Sequence, residues 1–331
     1  MNSYKIKKKF YILAILDDRI GNRNQVLAIL DEINLPYNII CIKYNWLANL
    51  PNFILQILGS YSHIKNFDIK KIKTKPNLIL SCGRRTFPLA SKLKYLFSDT
   101  NYFIHIMYPK LSLNIGGCNL IFTPFHDNIG GSNQVIETLG SPAPIDNIKN
   151  KKNPYKNKPI ISILIGGNHG RYKLKYKIIN HIITETLNKI KKGSILISTS
   201  RRTPQNIIKL IDKLGKKNKV FKIIFHPRND RKRNPLNEMI AYADEFVVTG
   251  DSVSMVSQLC QYEKPVRIIF NKEFCATKHV KFCTKLIDEG YAYPFESLLE
   301  ECDTIKTLNT TKKISKKILS IIKQWKKLIV N

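Results

Sequence analysis

Two stretches, LILSCGRRTFP (residues 78–88) and ILISTSRRTP (residues 195–204), decide how this chain is read. Each is a short apolar run, a turn carrying Arg-Arg-Thr, and then a proline. The runs have the length of a buried strand. Thr86 with Pro88, and Thr203 with Pro204, stand where a helix would take its N-cap and first-turn residues. A strand, turn and helix therefore occur in the same form once in each half. Outward from these two points, short apolar runs alternate with longer amphipathic stretches, the pattern of a parallel sheet covered by helices. The first half offers strands at Phe10–Leu16, Tyr37–Ile42, Asn77–Cys82, Tyr102–Ile106 and Leu120–Thr123. The second offers Ile160–Ile165, Ser194–Ser198, Phe221–Phe225, Glu245–Thr249 and Pro265–Phe270. Between them SPAPIDNIKNKKNPYKNKP (141–159) is rich in Pro, Asn and Lys and has no periodic apolar face, so it reads as a linker. The expectation is an α/β protein of two doubly wound, Rossmann-like domains, 1–150 and 151–310, with a cleft between them and a C-terminal helix at 311–331.

A length of 331 residues suits two domains at about 150 residues each. Hydrophobic residues at 43% and charged residues at 24% exclude disorder, collagen-like repeats and coiled coil. The balance of 55 Lys+Arg against 24 Asp+Glu, a net +31, suits attraction to nucleic acid, anionic membrane or phosphorylated substrates. An A/T-rich codon usage, visible in the abundance of Lys, Asn and Ile, would supply the same excess. Functional weight then rests on where the arginines sit. No basic module interleaved with aromatics is visible, so no specific nucleic-acid partner is expected. The apolar run Phe10–Leu16 ends at Asp17-Asp18, too short for a membrane span or a leader. Seven cysteines without a C-x-x-C pair fit a reduced, cytoplasmic compartment.

The paired arginines, Arg84-Arg85 and Arg201-Arg202, would lie at the carboxyl ends of strands, the edge at which open α/β sheets bind ligands. The alternative for them is local capping on a solvated edge. ILIGGNHGRY places Gly166, Gly167 and Asn168 after a strand, where glycines let backbone N–H groups approach a phosphate. In VVTGDSVSMVSQL, Asp251 or Ser252 can cap a helix, and the hydroxyls of Ser252 and Ser254 can meet an anion. FHDNIGGSN carries His126 and Asp127, either of which can act alone as a general base, followed by Gly130, Gly131 and Ser132. AILDDRIGNRNQVLAIL has Asp17 and Asp18 at a strand–helix junction without the G-x-G-x-x-G spacing. CATKHVKFC spaces Cys275, His279 and Cys283 by four, as a helix face would, but supplies no fourth ligand, and no metal site is expected. The tail ISKKILSIIKQWKKLIVN is an amphipathic basic helix (Ile314, Ile318, Ile321, Ile322, Trp325, Leu328). It suits packing on a domain or a peripheral contact with anionic lipid at the inner face of a membrane.

Taken together, SRRTP, VTGDSVSMVS, LIGG, CGRRT, the HD-x-x-x-G-x-N segment and DRIGNRNQ resemble the "elongated mitochondria" fission family, in order from Asp17 to about Phe295. Gln258 stands where such chains more often carry Glu, and GYAYPF where an Ala-Arg pair is usual. The resemblance implies a GT-B glycosyltransferase-like fold of a bacterial type, with a nucleotide sugar as co-substrate rather than a resident cofactor. It places the nucleotide at Ser252, Ser254 and Gln258 and sets Arg201 and Arg202 on the diphosphate without an obligatory metal. Asp18, His126 or Asp127 would serve the acceptor. Plant members are adaptors in mitochondrial fission, so a non-catalytic adaptor binding membrane or protein partners is the alternative.

Overall fold

The computed structural model describes residues 10–330 apart from 60, 73, 98–100, 111–114, 116, 128, 130–132, 145–151 and 231–233, with side chains of the last helix described as far as residue 324. It divides into two compact units, Met1–Pro144 with Thr310–Asn331, and Ile145–Asn309.

The first unit has strands β1 (Ile12–Leu16), β2 (Tyr37–Cys41), β3 (Leu78–Cys82), β4 (Tyr102–Ile106), β5 (Leu120–Pro124) and β6 (Val135–Thr138), with helices α1 (Ile20–Ile33), α2 (Asn52–Ile57) and α3 (Phe87–Leu96). All strands run parallel in the order β2-β1-β3-β4-β5-β6. Side chains of a strand point alternately to the two faces. Ile12, Ala14 and Leu16 accordingly pack with Val26, Ile29 and Leu30 of α1, and Leu13 and Ile15 pack with Phe87, Leu89 and Leu93 of α3. Burial on both faces is why these strands read as unbroken apolar runs.

The second unit has strands β7 (Ile160–Leu164), β8 (Ser194–Ser198), β9 (Phe221–Phe225), β10 (Glu245–Thr249), β11 (Val266–Ile269) and β12 (Tyr293–Pro294). Its helices are α4 (Tyr176–Ile190), α5 (Gln205–Lys217), α6 (Leu236–Tyr242), α7 (Val253–Leu259) and α8 (Thr277–Asp288). The order is β12-β11-β10-β7-β8-β9, again all parallel. Ile161 and Ile163 of β7 pack with Ile179, Ile182 and Ile183 of α4 and Ile207 and Ile211 of α5. Glu245 and Arg267, both nearly inaccessible, pair at the amino ends of β10 and β11, and Arg267 also holds Ser297 Oγ at 2.5 Å and the Glu300 carbonyl at 2.8 Å.

The last helix, α9 (Thr310–Val330), belongs to the first unit. Ile314, Ile318 and Ile322 are buried in the same cluster as Val26, Ile29 and Leu30 of α1. Thr311 Oγ1 donates to the Ala143 carbonyl (3.0 Å) and accepts from the Ala143 N–H (3.1 Å), pinning the start of the helix. Its apolar stripe is spent on packing as far as Ile322, which leaves that face unavailable to lipid. No helix among the described residues is long and apolar enough to cross a membrane.

Candidate functional site

Each sheet has one place where the chain reverses its direction of strand addition. In the first unit this lies between β1 and β3, and in the second between β7 and β10. Loops leaving adjacent strands in opposite directions open a crevice at such a point, and ligands of doubly wound sheets bind there. Asp17, Asp18 and Gly83–Arg85 flank the first crevice; Gly166, Gly167 and Asp251 flank the second, with Arg201 and Arg202 on the loop after the neighbouring β8.

In the first unit Arg85 donates to Asp17 Oδ1 at 2.7 Å and also pairs with Asp18. Its guanidinium lies 4.1 Å over the Tyr44 ring, Tyr44 stacks on His63, and His63 Nε2 bonds the Arg85 carbonyl at 2.7 Å. Asn22 Nδ2 donates to Asp17 Oδ2 at 2.6 Å. Gly83 has φ +86°, and a β-carbon there would come within 2.2 Å of Asn22 Nδ2. Burial alone would raise the Asp17 pKa, but hydrogen bonds with Asp18 and Asn22 and the Arg85 charge bring it below the ordinary value. Burial and the hydrogen bond with Asp17 raise Asp18 above its ordinary value. Burial and Asp17 push the Tyr44 hydroxyl up.

Arg84 donates to the carbonyls of Ala48 (2.7 Å) and Leu50 (2.5 Å) and contacts Asn52 Oδ1 (3.3 Å), so both of its Nη groups are engaged in bracing a loop. Arg85 is already neutralised by two carboxylates. His126 and Asp127 follow β5, three strands from β1, which at ~4.8 Å per strand puts them roughly 14 Å from Asp18. Asp18 and the His126–Asp127 pair, alternative candidates for a base, therefore stand on separate loops of the same sheet edge. Asp127 Oδ2 lies 3.5 Å from Thr123 Oγ1, and His126 is 7% exposed. Residues 130–132 of the same loop lie outside the described residues.

In the second unit the Gly166 N–H donates to Thr249 Oγ1 and the Gly167 N–H to Asp251 Oδ2, each at 2.8 Å, across the crevice. A β-carbon on Gly166 would stand 2.1–2.4 Å from the Asp251 carboxylate, and one on Gly167 2.3 Å from the Arg202 backbone. The glycines are thus required by packing, and neither amide faces outward as a phosphate cradle. Thr203 is fully buried, donating to the Gly166 carbonyl at 2.5 Å and accepting from the Ser200 N–H at 2.9 Å, which removes it from the ligand set. Asp251 is 1% exposed and caps nothing; it accepts from Gly167, from Thr249 Oγ1 at 2.7 Å and from Arg202 at 3.4 Å. Burial raises its pKa, partly offset by those bonds.

Ser252 stands at the N-cap of α7 without a capping side-chain bond, its Oγ 3.4 Å from Ser254 Oγ. Arg201 and Arg202 are exposed. Arg202 reaches back to the Asn168 carbonyl (3.3 Å) and His169 Nδ1 (3.4 Å), while Asn168 Oδ1 accepts from the Leu174 N–H. Gln258 is half-buried one turn along α7. Tyr44 and His63 fall in none of the quoted motifs, and His169 and Thr249 lie inside two of them without a role there; the partners that matter, Arg85 for the first two, Arg202 for His169 and Gly166 for Thr249, stand far off in the chain, where no spacing rule marks them. Cys275 and Cys283 are buried; burial pushes the Cys275 thiol up to about 12 and Cys283 higher still, which opposes the thiolate a metal needs. No group of three or more His, Cys, Asp or Glu among the described residues is arranged to hold a metal ion.

Two doubly wound parallel sheets, each with a charged loop cluster at its reversal point, define an α/β chain of the GT-B glycosyltransferase-like type. Solved structures with that likeness include the S. aureus MnaA–UDP co-structure (TM-score 0.52, 13% identity, 97% of this chain and 98% of that one). Another is the catalytic domain of Arabidopsis thaliana starch synthase IV bound to ADP and acarbose (TM-score 0.51, 8% identity, 96% and 99%). At such identities they speak for the fold alone. The chain belongs to the mitochondrial fission ELM1 family, whose description matches residues 20–322. It is 31% identical to an uncharacterized protein of Rickettsia prowazekii (strain Madrid E), covering 94% of this chain and 98% of that protein. It is 26% identical to the mitochondrial fission protein ELM1 of Arabidopsis thaliana over 74% of this chain and 64% of the plant protein.

Proposed function

We propose that the chain binds the diphosphate of a nucleotide sugar at the carboxyl edge of the second unit's sheet and transfers the glycosyl group. The observation that carries this reading is the asymmetry of that edge. Arg201 and Arg202 are exposed, and the Ser252 and Ser254 hydroxyls are not consumed by capping. The neighbouring carboxylate, Asp251, is buried and turned inward. Two guanidinium groups would neutralise a diphosphate as it leaves, the stage at which fixed positive charge lowers a barrier most. Gln258 would hydrogen-bond a ribose hydroxyl without adding charge. Related folds that hold UDP and ADP in their own structures add support. On the acceptor side Asp18 is the candidate base, because its side chain is 47% exposed and its pKa is raised.

A non-catalytic adaptor is the rival reading. It draws on the engagement of Gly166, Gly167, Arg84 and Arg85 inside the protein, which leaves fewer groups for a ligand than the motifs suggest. Release of UDP from UDP-glucose, with water as slow acceptor, separates the two. Glycosyl transfer predicts measurable release that falls at least tenfold in Asp18→Asn while UDP-glucose binding persists. Binding with no release in the wild-type protein would favour the adaptor.

A further inference from the structure

His169 lies within ILIGGNHGRY, where the glycines and Asn168 carry the motif's reading, yet its own ring stands beside Arg202 at the edge of the second unit's sheet. The backbone makes it do so: His169 and Tyr172 exchange N–H···O=C bonds at 3.0 Å each way, closing a tight turn through Gly170, whose φ is +57°. The turn lays the His169 ring against that of His279 in α8, with centroids 5.3 Å apart and planes inclined at 45°. His169 Nδ1 then faces Arg202 at 3.4 Å. A guanidinium has only donors, so Nδ1 must be the accepting nitrogen and the ring proton must sit on Nε2. Arg202 is held from three sides by this nitrogen, the Asn168 carbonyl and Asp251 Oδ2. Arg201, its exposed neighbour, makes no hydrogen bond or ion pair among the described residues.

We propose that neutral His169 is a positioning residue that sets the Arg202 guanidinium for an anionic diphosphate, and that protonation of His169 releases it. The proposal rests on the anion-binding reading of Arg202. The charged groups facing the ring agree with it. Arg202 from the loop after β8 and Lys278 from α8 oppose a proton on His169, as burial does, and together they outweigh the buried Asp251 carboxylate, which favours one. The imidazole pKa therefore lies below its ordinary value near 6.5, and the neutral form prevails at pH 7. The sign follows. Above pH 6.5 the tether is intact; as pH falls through the depressed pKa, Nδ1 becomes a donor, the contact with Arg202 turns repulsive, and the arginine swings free. Bulk electrostatics predicts the opposite, because a +31 protein gains charge on acidification and should hold anions more tightly.

The test observes Arg202 directly and does not depend on knowing the ligand. In arginine-labelled full-length protein, the Nη1 and Nη2 nitrogen signals of Arg202, detected through Cζ so that proton exchange with water does not enter, are assigned by their loss in Arg202→Lys and followed from pH 8 to pH 5. The tether, which holds Nη1 and Nη2 on different partners, predicts two separate signals at pH 7.5 that merge with a midpoint below 6.5 as rotation becomes free. In His169→Asn, whose amide oxygen accepts but does not titrate, the two signals should stay separate across the range. In His169→Leu they should be merged throughout. Wild-type signals indifferent to pH, or equal behaviour of the Asn and Leu variants, would overturn the proposal. UDP-glucose, whose diphosphate does not titrate over this range, is then added at pH 7.5 and 5.5. Weaker binding at pH 5.5 in the wild type only is the expected result. An intact pH response of Arg202 with no UDP-glucose binding would sink the nucleotide reading and leave the tether standing.

Discussion

Gly166 is the residue at which the second unit's edge is least forgiving. Its missing β-carbon is the space occupied by the Asp251 carboxylate, which is buried and fixed by Gly167 and Thr249. Gly166→Ala must displace that carboxylate, and an overpacked site of this kind costs about 1–3 kcal/mol. Denaturant unfolding should show that loss, whereas Gly21→Ala in α1, with nothing within 4 Å of the added carbon, should show none. Equal midpoints for the two variants would contradict the packing account. The glycine pair was legible as a tight turn after a strand, but its reason was not. Asp251 stands 84 residues from Gly167, just after β10, and only the strand order β10-β7 brings it alongside. The same holds for Arg85 and Asp17, 68 residues apart and joined by the β1-β3 pairing. Residue type announced the chemistry available, while topology chose the partners. That is why Arg84, Thr203, Gly166 and Gly167, whose motifs suggest ligand contacts, make the internal contacts described above with partners that no motif names.

Among the elements, α9 shows how an amphipathic pattern can be right about periodicity and silent about its target. Ile314, Ile318 and Ile322 recur at helical spacing, which suits a domain surface and a lipid surface equally. The structure spends them on α1 and the first sheet. Ile318 is completely inaccessible, so Ile318→Ala should cost about 2–5 kcal/mol of the first unit's stability. Protection of α1 amides from hydrogen exchange would report it. Unchanged protection of Val26–Leu30 would mean that α9 is dispensable to the core. Eight of the ten strands legible in the sequence are buried on both faces and so read as continuous apolar runs, while β2 and β9, at sheet edges and largely exposed or half-buried, were legible from Ile39-Ile40 and Ile223-Ile224 at their middles. The remaining two were not: β6 has only Val135 and Ile136 as apolar residues, and β12 is two residues long at a sheet edge. Such strands exist because a neighbour offers free backbone groups, which no local pattern records.

At the scale of the whole molecule the central question is whether the charge is specific. A net charge of +31 attracts any anion, and that attraction is screened within a Debye length, about 8 Å at physiological salt. A built site differs, because its guanidinium groups are fixed in place and partly desolvated. Arg202, tied at three points, has that character. A ligand that recognises it stabilises the folded state in proportion to its saturation, by about 2.7 kcal/mol at a hundred times its dissociation constant. The decisive measurement is the thermal stability of the full-length protein with UDP-glucose, ADP-glucose, UDP and sulfate, at 50 and 300 mM salt, for the wild type and Arg202→Ala. The account predicts a rise with one nucleotide class that survives at 300 mM salt and is lost in Arg202→Ala. Small rises of equal size for every anion, abolished by salt and indifferent to Arg202, would contradict it.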